Sequence, residues 1–382
     1  MHLRAVDVLG GAVRVAGIVD LESTPNGIVL HRMPAWARTR HNDITLSLLE
    51  TMPSGGRLEM STDATCIELD VHLTLLQTAG EPLRPATFEV VVDGEVVAAQ
   101  EARSGTVIVL DTRSGAIEFQ PGSPTTVRFE GLRSGRKRVE VWLPHASAVH
   151  LVELRADGEV SAAEPQGSRW VHYGSLISHC LEANRPTEVW PVVAAQLAGV
   201  DLQSFAFAGQ CQLDPFAGRM IAEQAADLVS LKLGINIVNG DTMRERTFVP
   251  AVHGLLDSIR DRHPAVPVVV ITPIICPVVE DHPGPTAVGE SGRIGVPERP
   301  AALAVGALTL RRIRELEREI VSARRTAGDR QLHLLEGPEL FGADDVEDLP
   351  DGLHPNADGY RRMGERFHQL AFVDGPFASS DA

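Results

Sequence analysis

Four short blocks of this sequence hold residue types that acyl chemistry uses. They are the serine of Gly174-Ser175, the glycine of Phe207-Ala-Gly209-Gln, the asparagine of Leu233-Gly-Ile-Asn236, and the pair in Asp351-Gly-Leu-His354-Pro355. Acyl transfer needs a nucleophile, a base to take its proton, a group to orient that base, and donors for the tetrahedral oxyanion. Ser175 is the candidate nucleophile and His354 the candidate base, with Asp351, three residues earlier, holding the imidazole tautomer and stabilising the imidazolium. The backbone N–H at the nucleophile, the N–H of Gly209 and the side-chain amide of Asn236 are the candidate oxyanion donors. Each block also has an ordinary structural reading. Gly174-Ser175 fits a capped helix start, Gly209 tight packing against a sheet, Asn236 a turn cap, and 351–355 a loop before a helix capped at Asn356.

The elements that must position these residues alternate in type after residue 169. Candidate strands at 169–173, 203–207, 228–233, 266–271 and 331–335 are separated by helical stretches near 187–198, 214–226, 243–263 and 300–326, with 301–326 read as one helix. The run from Cys180 to Leu197 is likewise expected to be the helix that follows the serine turn. This rhythm predicts a parallel sheet covered on both faces, with active groups gathered at the carboxyl ends of its strands. Residues 276–300, with five prolines and four glycines, are too long for an ordinary connection and are read as a lid or cleft-lining loop. Asn239 and Asp241 read as a helix start at Thr242, and His172 and His179 lie close to the serine turn.

From residue 1 to about 154 the pattern is β. Ile67, Leu69, Val71, Leu73 and Leu75 alternate with Glu68, Asp70, His72 and Thr74, the period of a strand with one buried face. Further short runs follow, and Asp93-Gly94 between two of them signals a hairpin. The expected form is an antiparallel β-sandwich of jelly-roll type, with residues 155–168 as a polar linker to a catalytic domain over 169–382. The loop Met33–Asn42 places Trp36 and Arg38 where a flat or acidic ligand group could stack and pair; a surface loop with Trp36 tucked onto the sandwich is the plainer reading.

In order and spacing the four blocks resemble the SGNH (GDSL) hydrolase superfamily, whose conserved blocks supply a serine, a glycine, an asparagine and an Asp-x-x-His pair; the likeness covers roughly residues 169–372. It implies a three-layer α/β domain of flavodoxin-like type and a Ser-His-Asp mechanism. The first block departs from the family pattern of Gly-Asp-Ser-x-Ser or Gly-Ser-Ser-x-Ser. Aligned without a gap, Gly174 and Ser178 match its ends, Ser175 takes the second place, and Leu176 falls where the nucleophile belongs. Either the reactive hydroxyl has moved to Ser175, which is the assignment adopted, or the chain is an altered form in which a leucine has replaced it. The chain also looks like bacterial two-domain SGNH proteins that join a carbohydrate-binding-like sandwich to the catalytic domain. Among these the likeness implies an intracellular acyltransferase of antibiotic biosynthesis, moving an aromatic acyl group from a thioester to the hydroxyl of a polycyclic product. The alternatives are a carbohydrate O-acetyl esterase and a non-catalytic binding protein.

Composition narrows the partners. A formal charge of −16 with one short basic run, Arg136-Lys137-Arg138, argues against nucleic acid. No apolar run approaches the length of a membrane span, and the beginning of the chain has no basic segment followed by a long apolar stretch, so a cytoplasmic protein is expected. Cys66, Cys180, Cys211 and Cys276 are widely scattered, which fits reduced thiols and implies neither a disulfide framework nor a metal site. The expected partners are a small-molecule acyl donor and a hydroxyl acceptor, with no cofactor.

Overall fold

The computed structural model describes residues 3–111, 114–289 and 292–378. Met1 and His2 of the N-terminal stretch, Glu290 and Ser291 of the 276–300 segment, and the last four residues of the expected catalytic domain lie outside the described residues. The chain divides into two compact units. One runs to Gln166 and takes in Asn184–Thr187; the other comprises Gly167–Ala183 and the residues from Glu188 onward.

Alternation builds the first unit. Ile67, Leu69, Val71, Leu73 and Leu75 are fully buried, while Asp70, His72 and Thr74 keep contact with solvent. Their strand, Ile67–Thr78, pairs antiparallel with Thr125–Phe129 and Ser147–Ala156 inside an eight-stranded sheet. A six-stranded sheet sets Arg57–Thr62, Lys137–Trp142 and Ala86–Val92 side by side. Apolar residues of both sheets, among them Leu69, Leu73 and Val149 with Phe88, Val90 and Val141, form one core. Asp93 and Gly94, at φ 50° and 92°, make the turn between Ala86–Val92 and Glu95–Ala102. Lys137 is 3% exposed and its Nζ donates to the Ala64 carbonyl at 2.6 Å.

Two expectations for this unit change. The sheets are not wholly antiparallel, because Thr74–Thr78 runs parallel to Thr106–Leu110. The hairpin 86–102 between them belongs to the other sheet and carries the chain across and back. Nor is 155–162 a linker. Ser147–Ala156 continues through its start and Val160–Ala162 pairs with Arg57–Thr62. The polar composition that reads as a linker is held by Asp157, whose carboxylate accepts from Thr65 N, Thr65 Oγ1 and Cys66 N.

The second unit is a five-stranded parallel sheet. Its strands in chain order are Arg169–Gly174, Asp201–Ala206, Leu228–Lys232, Val268–Ile271 and Leu332–Leu335, and their spatial order is 2-1-3-4-5. That is the flavodoxin-like arrangement, in which the strand order reverses beside strand 1 and a crevice opens at the carboxyl ends there. Helices Trp190–Ala198 and Ala357–Phe367 pack on each other; Pro215–Ala222 packs with Glu245–Arg260, and the latter with Leu310–Thr326. On the first pair's side the sheet is sealed by aromatic rings. Trp170 stacks on Phe367 at 5.2 Å between centroids, and Trp190 meets Phe367 edge-on at 5.2 Å. Each such pair contributes about 0.5–1.5 kcal/mol beyond the area it buries.

Two helices differ from expectation. The stretch 301–326 splits into a short 3-10 turn at Ala301–Ala304 and a helix at Leu310–Thr326, because Gly306 adopts φ 69° and Thr309 caps the second start by accepting from Arg312 N at 3.1 Å. After the serine turn there is only one helical turn, Leu176–His179, which ends where Cys180 takes a left-handed conformation; the next long helix starts at Trp190. Of segment 276–300, Ala287–Val288 and Ile294–Gly295 pair as a small antiparallel ladder. Among the described residues no helix is long and apolar enough to cross a membrane.

Candidate active site

The carboxyl ends of strands 1, 2 and 3 each deliver one block. Strand 1 ends at Gly174, where an added Cβ would lie 2.4 Å from Ser178 Oγ and 2.8 Å from His172 Nε2, so close approach requires glycine. Ser175 then caps the helical turn: extended backbone at φ −88°, with Oγ accepting from Ile177 N at 3.3 Å. Both Ser175 and Ser178 are 0% exposed, and Ser178 Oγ is sealed without a partner among the described residues. From 174 to 180, Leu176 is the one residue that is not fully buried.

Phe207 N donates to Gly174 O at 3.0 Å, which ties the second block to the first. Gly209 follows in an exposed turn at φ 73°. Asn236 sits in the helix Ile235–Gly240, entered through Gly234 at φ 102°, where a Cβ would meet Ile313 Cγ2 at 2.7 Å. Asn236 is 2% exposed, and its Oδ1 accepts from Cys211 N at 3.1 Å. That bond fixes the orientation of the amide and leaves Nδ2 a buried donor without a partner among the described residues. Such a group costs stability unless something arrives to accept from it, and a developing oxyanion is such an acceptor. Gln212 joins the two donors. Its Nε2 donates to Gly209 O at 3.0 Å and Asn236 O at 3.3 Å, while Thr242 Oγ1 donates to its Oε1 at 2.6 Å.

The fourth block folds on itself. Asp351 Oδ1 accepts from Leu353 N and His354 N, and Oδ2 meets His354 Nδ1 at 2.5 Å, leaving Nε2 as the nitrogen that takes a proton. Burial alone would lower the His354 pKa, yet the Asp351 hydrogen bond and the charges of Glu182 and Asp351 outweigh it and raise the pKa above 6.5. Burial pushes the Asp351 carboxyl the other way, up, and the same bonds with His354 prevail to hold it down to about 2. Glu182 brings Oε1 within 3.9 Å of His354 Nδ1, and its Oε2 accepts from the buried Tyr360 hydroxyl at 2.8 Å. Arg293 Nη2 lies 3.9 Å from the position that a Cβ on Gly352 would take. Asn356 caps the last helix through Gly359 N, as the plainer reading of this block also expects.

The structure thus forms the Asp351–His354 pair and orients Asn236. Among the described residues no hydrogen bond joins Ser175 Oγ to His354. Sequence reasoning missed Glu182 and Gln212, for which no sequence signal exists: one is a lone acid in a loop, the other a lone amide in a turn. The nearby histidines serve packing. Burial, then the charge of Lys232, lowers His172 to about 3, and its Nδ1 shares a hydrogen bond with Ser230 Oγ; His179 Nδ1 accepts from Ala208 N. Asp241 ends a helix in left-handed conformation and does not start one. Beneath the site Lys232 and Glu317 are 0% exposed, their charged atoms without hydrogen-bond partners among the described residues. Burial lowers Lys232 to about 8, against the attraction of Glu317, and raises Glu317. Trp36 and Arg38 belong to the first unit, in the short helix Ala35–Arg38, where Arg38 Nη1 donates to Asp20 Oδ2 and Met33 O, both at 2.9 Å.

The model of the GDSL-like Lipase/Acylhydrolase family matches residues 166–362, just over half of the chain. Among solved structures, a salicylyl-acyltransferase from a tetracycline biosynthetic pathway is 26% identical with a TM-score of 0.79, over 96% of this chain and 95% of that one. A putative GDSL-like lipase from Bacteroides ovatus is 18% identical with a TM-score of 0.66, over 96% of both chains. A family two carbohydrate esterase from Clostridium thermocellum, in complex with cellohexaose, is 14% identical with a TM-score of 0.56, over 96% of this chain and 97% of that one. No curated protein sequence matches.

Proposed function

The chain belongs to the GDSL-like lipase/acylhydrolase family, and on that premise we propose that it transfers an acyl group from an activated thioester or ester to the hydroxyl of a small molecule. His354 is the base, Asp351 its orienting carboxylate, and Asn236 Nδ2 with Gly209 N–H the oxyanion donors. One observation carries this assignment. The imidazole already paired at 2.5 Å with Asp351 and the sealed Asn236 Nδ2, without a hydrogen-bond partner among the described residues, supply the types of base and oxyanion donor that acyl transfer requires. An aromatic acyl donor and a polycyclic acceptor are favoured by likeness to the salicylyl-acyltransferase along nearly the whole chain, and four unpaired, buried cysteines fit work in a reducing compartment. Trp36 and Arg38 remain candidates for ligand contact; for Arg38 this requires sharing a guanidinium already paired with Asp20.

A covalent route in this chain takes Ser175, one place before the family's nucleophile position, as the nucleophile; its hydroxyl must then leave Ile177 N and turn out of a fully buried cap. A second reading is favoured by the same observation: with Leu176 in the nucleophile's place, the chain binds its acyl ligand without cleaving it. The test is incubation with salicyloyl-N-acetylcysteamine thioester plus a phenolic acceptor and, separately, with acetylated xylo-oligosaccharides, each beside His354→Ala. Acylated acceptor formed only when His354 is present supports the proposal. Acetate release with no acylated acceptor replaces it with a carbohydrate esterase, and binding without turnover replaces it with the non-catalytic reading.

A further inference from the structure

The serine turn and the base are in different states of readiness. Every side chain near the turn that forms covalent acyl intermediates is closed off: Ser175, Ser178, Cys180 and Cys211 are all 0% exposed. Ser175 Oγ is held as a helix cap and is not bonded to His354 among the described residues. Burial pushes the Cys180 thiol well above its ordinary value and Cys211 up to about 12, so neither is a thiolate. The residue left partly exposed is Leu176, which has no group to acylate. The base, by contrast, is assembled, with Nδ1 taken by Asp351 and Nε2 left to accept a proton. Asn236 is buried like the serines, and its Nδ2 has no hydrogen-bond partner among the described residues, so it becomes an oxyanion donor only as the acyl group enters.

We infer that acyl transfer in this chain is direct: His354 Nε2 takes the proton of the bound acceptor's own hydroxyl, whose oxygen attacks the acyl carbonyl without an acyl-enzyme. This rests on the acyl-transfer function proposed above and specifies its course. The acceptor O–H breaks, its proton goes to Nε2 and its electron pair forms the new C–O bond. The carbonyl π pair moves to oxygen, facing Asn236 Nδ2 and the Gly209 N–H. Collapse of the tetrahedral adduct breaks the C–S bond, or C–O in an ester donor, and the imidazolium returns the proton to the departing thiolate or alkoxide. Nothing is oxidised or reduced and His354 ends neutral. Holding donor and acceptor together supplies the rate advantage that a covalent intermediate otherwise provides, since effective molarities of bound partners reach about 10⁵–10⁸ M. The partition between transfer and hydrolysis changes as well. An acyl-enzyme can be intercepted by water, whereas a direct transfer has no lasting intermediate to lose, so the acceptor site alone decides the product.

The full chain is tested with salicyloyl-N-acetylcysteamine thioester as donor and 1-naphthol as acceptor, varied against each other. The expected result is intersecting double-reciprocal lines, thiol release without a burst, no salicyloyl adduct by intact mass after acid quenching, and no labelling by a fluorophosphonate probe. His354→Ala should lower the transfer rate about 10²–10⁴-fold, the range of a positioned general base. Leu176→Ser should gain a burst and fluorophosphonate labelling at position 176. Parallel lines with a salicyloyl adduct on Ser175 overturn the direct route while leaving acyl transfer in place. Absence of any His354-dependent transfer or hydrolysis of the thioester overturns both.

Discussion

Replacing Asn236 by alanine removes two jobs of one side chain. Its Oδ1 accepts from Cys211 N at 3.1 Å, and its Nδ2 is buried with no partner among the described residues. Losing the acceptor strands a buried N–H at about 1–3 kcal/mol, whereas losing an unpartnered buried donor removes a penalty of similar size. The opposed changes should leave the unfolding free energy within about 1–2 kcal/mol of the parent, a Tm shift of a few degrees. The transition state has no such compensation. Loss of one oxyanion donor lowers kcat roughly 10²–10³-fold, about 2.7–4 kcal/mol. Initial rates with 4-nitrophenyl acetate as donor and 1-naphthol as acceptor, read beside a circular-dichroism melt of the same preparation, separate the two effects. A kcat within threefold of the parent, with the melt unchanged, would remove Asn236 from the reaction and refute the oxyanion assignment built on it.

Because the base must be neutral and its pKa is raised, the rate should climb with pH through a midpoint above 6.5, and Glu182→Gln should move that midpoint down; a midpoint that stays in place in a stopped-flow pH profile means Glu182 does not act on the imidazole. Stability runs the other way. The raised His354 pKa favours the fold below 6.5 and that share is lost as pH rises through the folded value, while the share from Asp351 is present above 3.8 and lost as pH falls towards about 2, both measurable in denaturant melts. Gly174→Ala places a methyl 2.4 Å from Ser178 Oγ and should destabilise by about 1–3 kcal/mol in urea unfolding; an unchanged midpoint contradicts the close approach. Lys232→Met removes the largest attraction that opposes burial at the Glu317 carboxyl and should lower the urea-unfolding midpoint, part of the loss being recovered by adding Glu317→Leu; equal single and double variants would mean the two charges do not sense each other.

What the sequence disclosed of the site is what lies on short, self-contained spacings. Asp351 and His354 are three residues apart in one turn, so their types and separation announce the pair. Asn236 and Gly209 each stand at the end of an apolar run that becomes a buried strand, and it is the resemblance of all four blocks to the family that makes them oxyanion candidates. Glu182 and Gln212 were not, since their roles arise only when a distant Tyr360 and the Gly209 and Asn236 carbonyls arrive beside them. Element type was read well where periodicity was strong, as in Ile67–Thr78. It failed where one local interaction overrides composition: Thr309 restarting a helix, Cys180 ending one, and Asp157 drawing a polar stretch into a sheet.

The two lysines have a practical consequence. Lys137 and Lys232 are the chain's whole complement, one in each unit, and both are buried. An acylating reagent added to the native protein can therefore reach either ε-amine only when its own unit opens. Peptide mapping after timed exposure gives each unit a separate clock of its breathing, with no probe engineered into the chain.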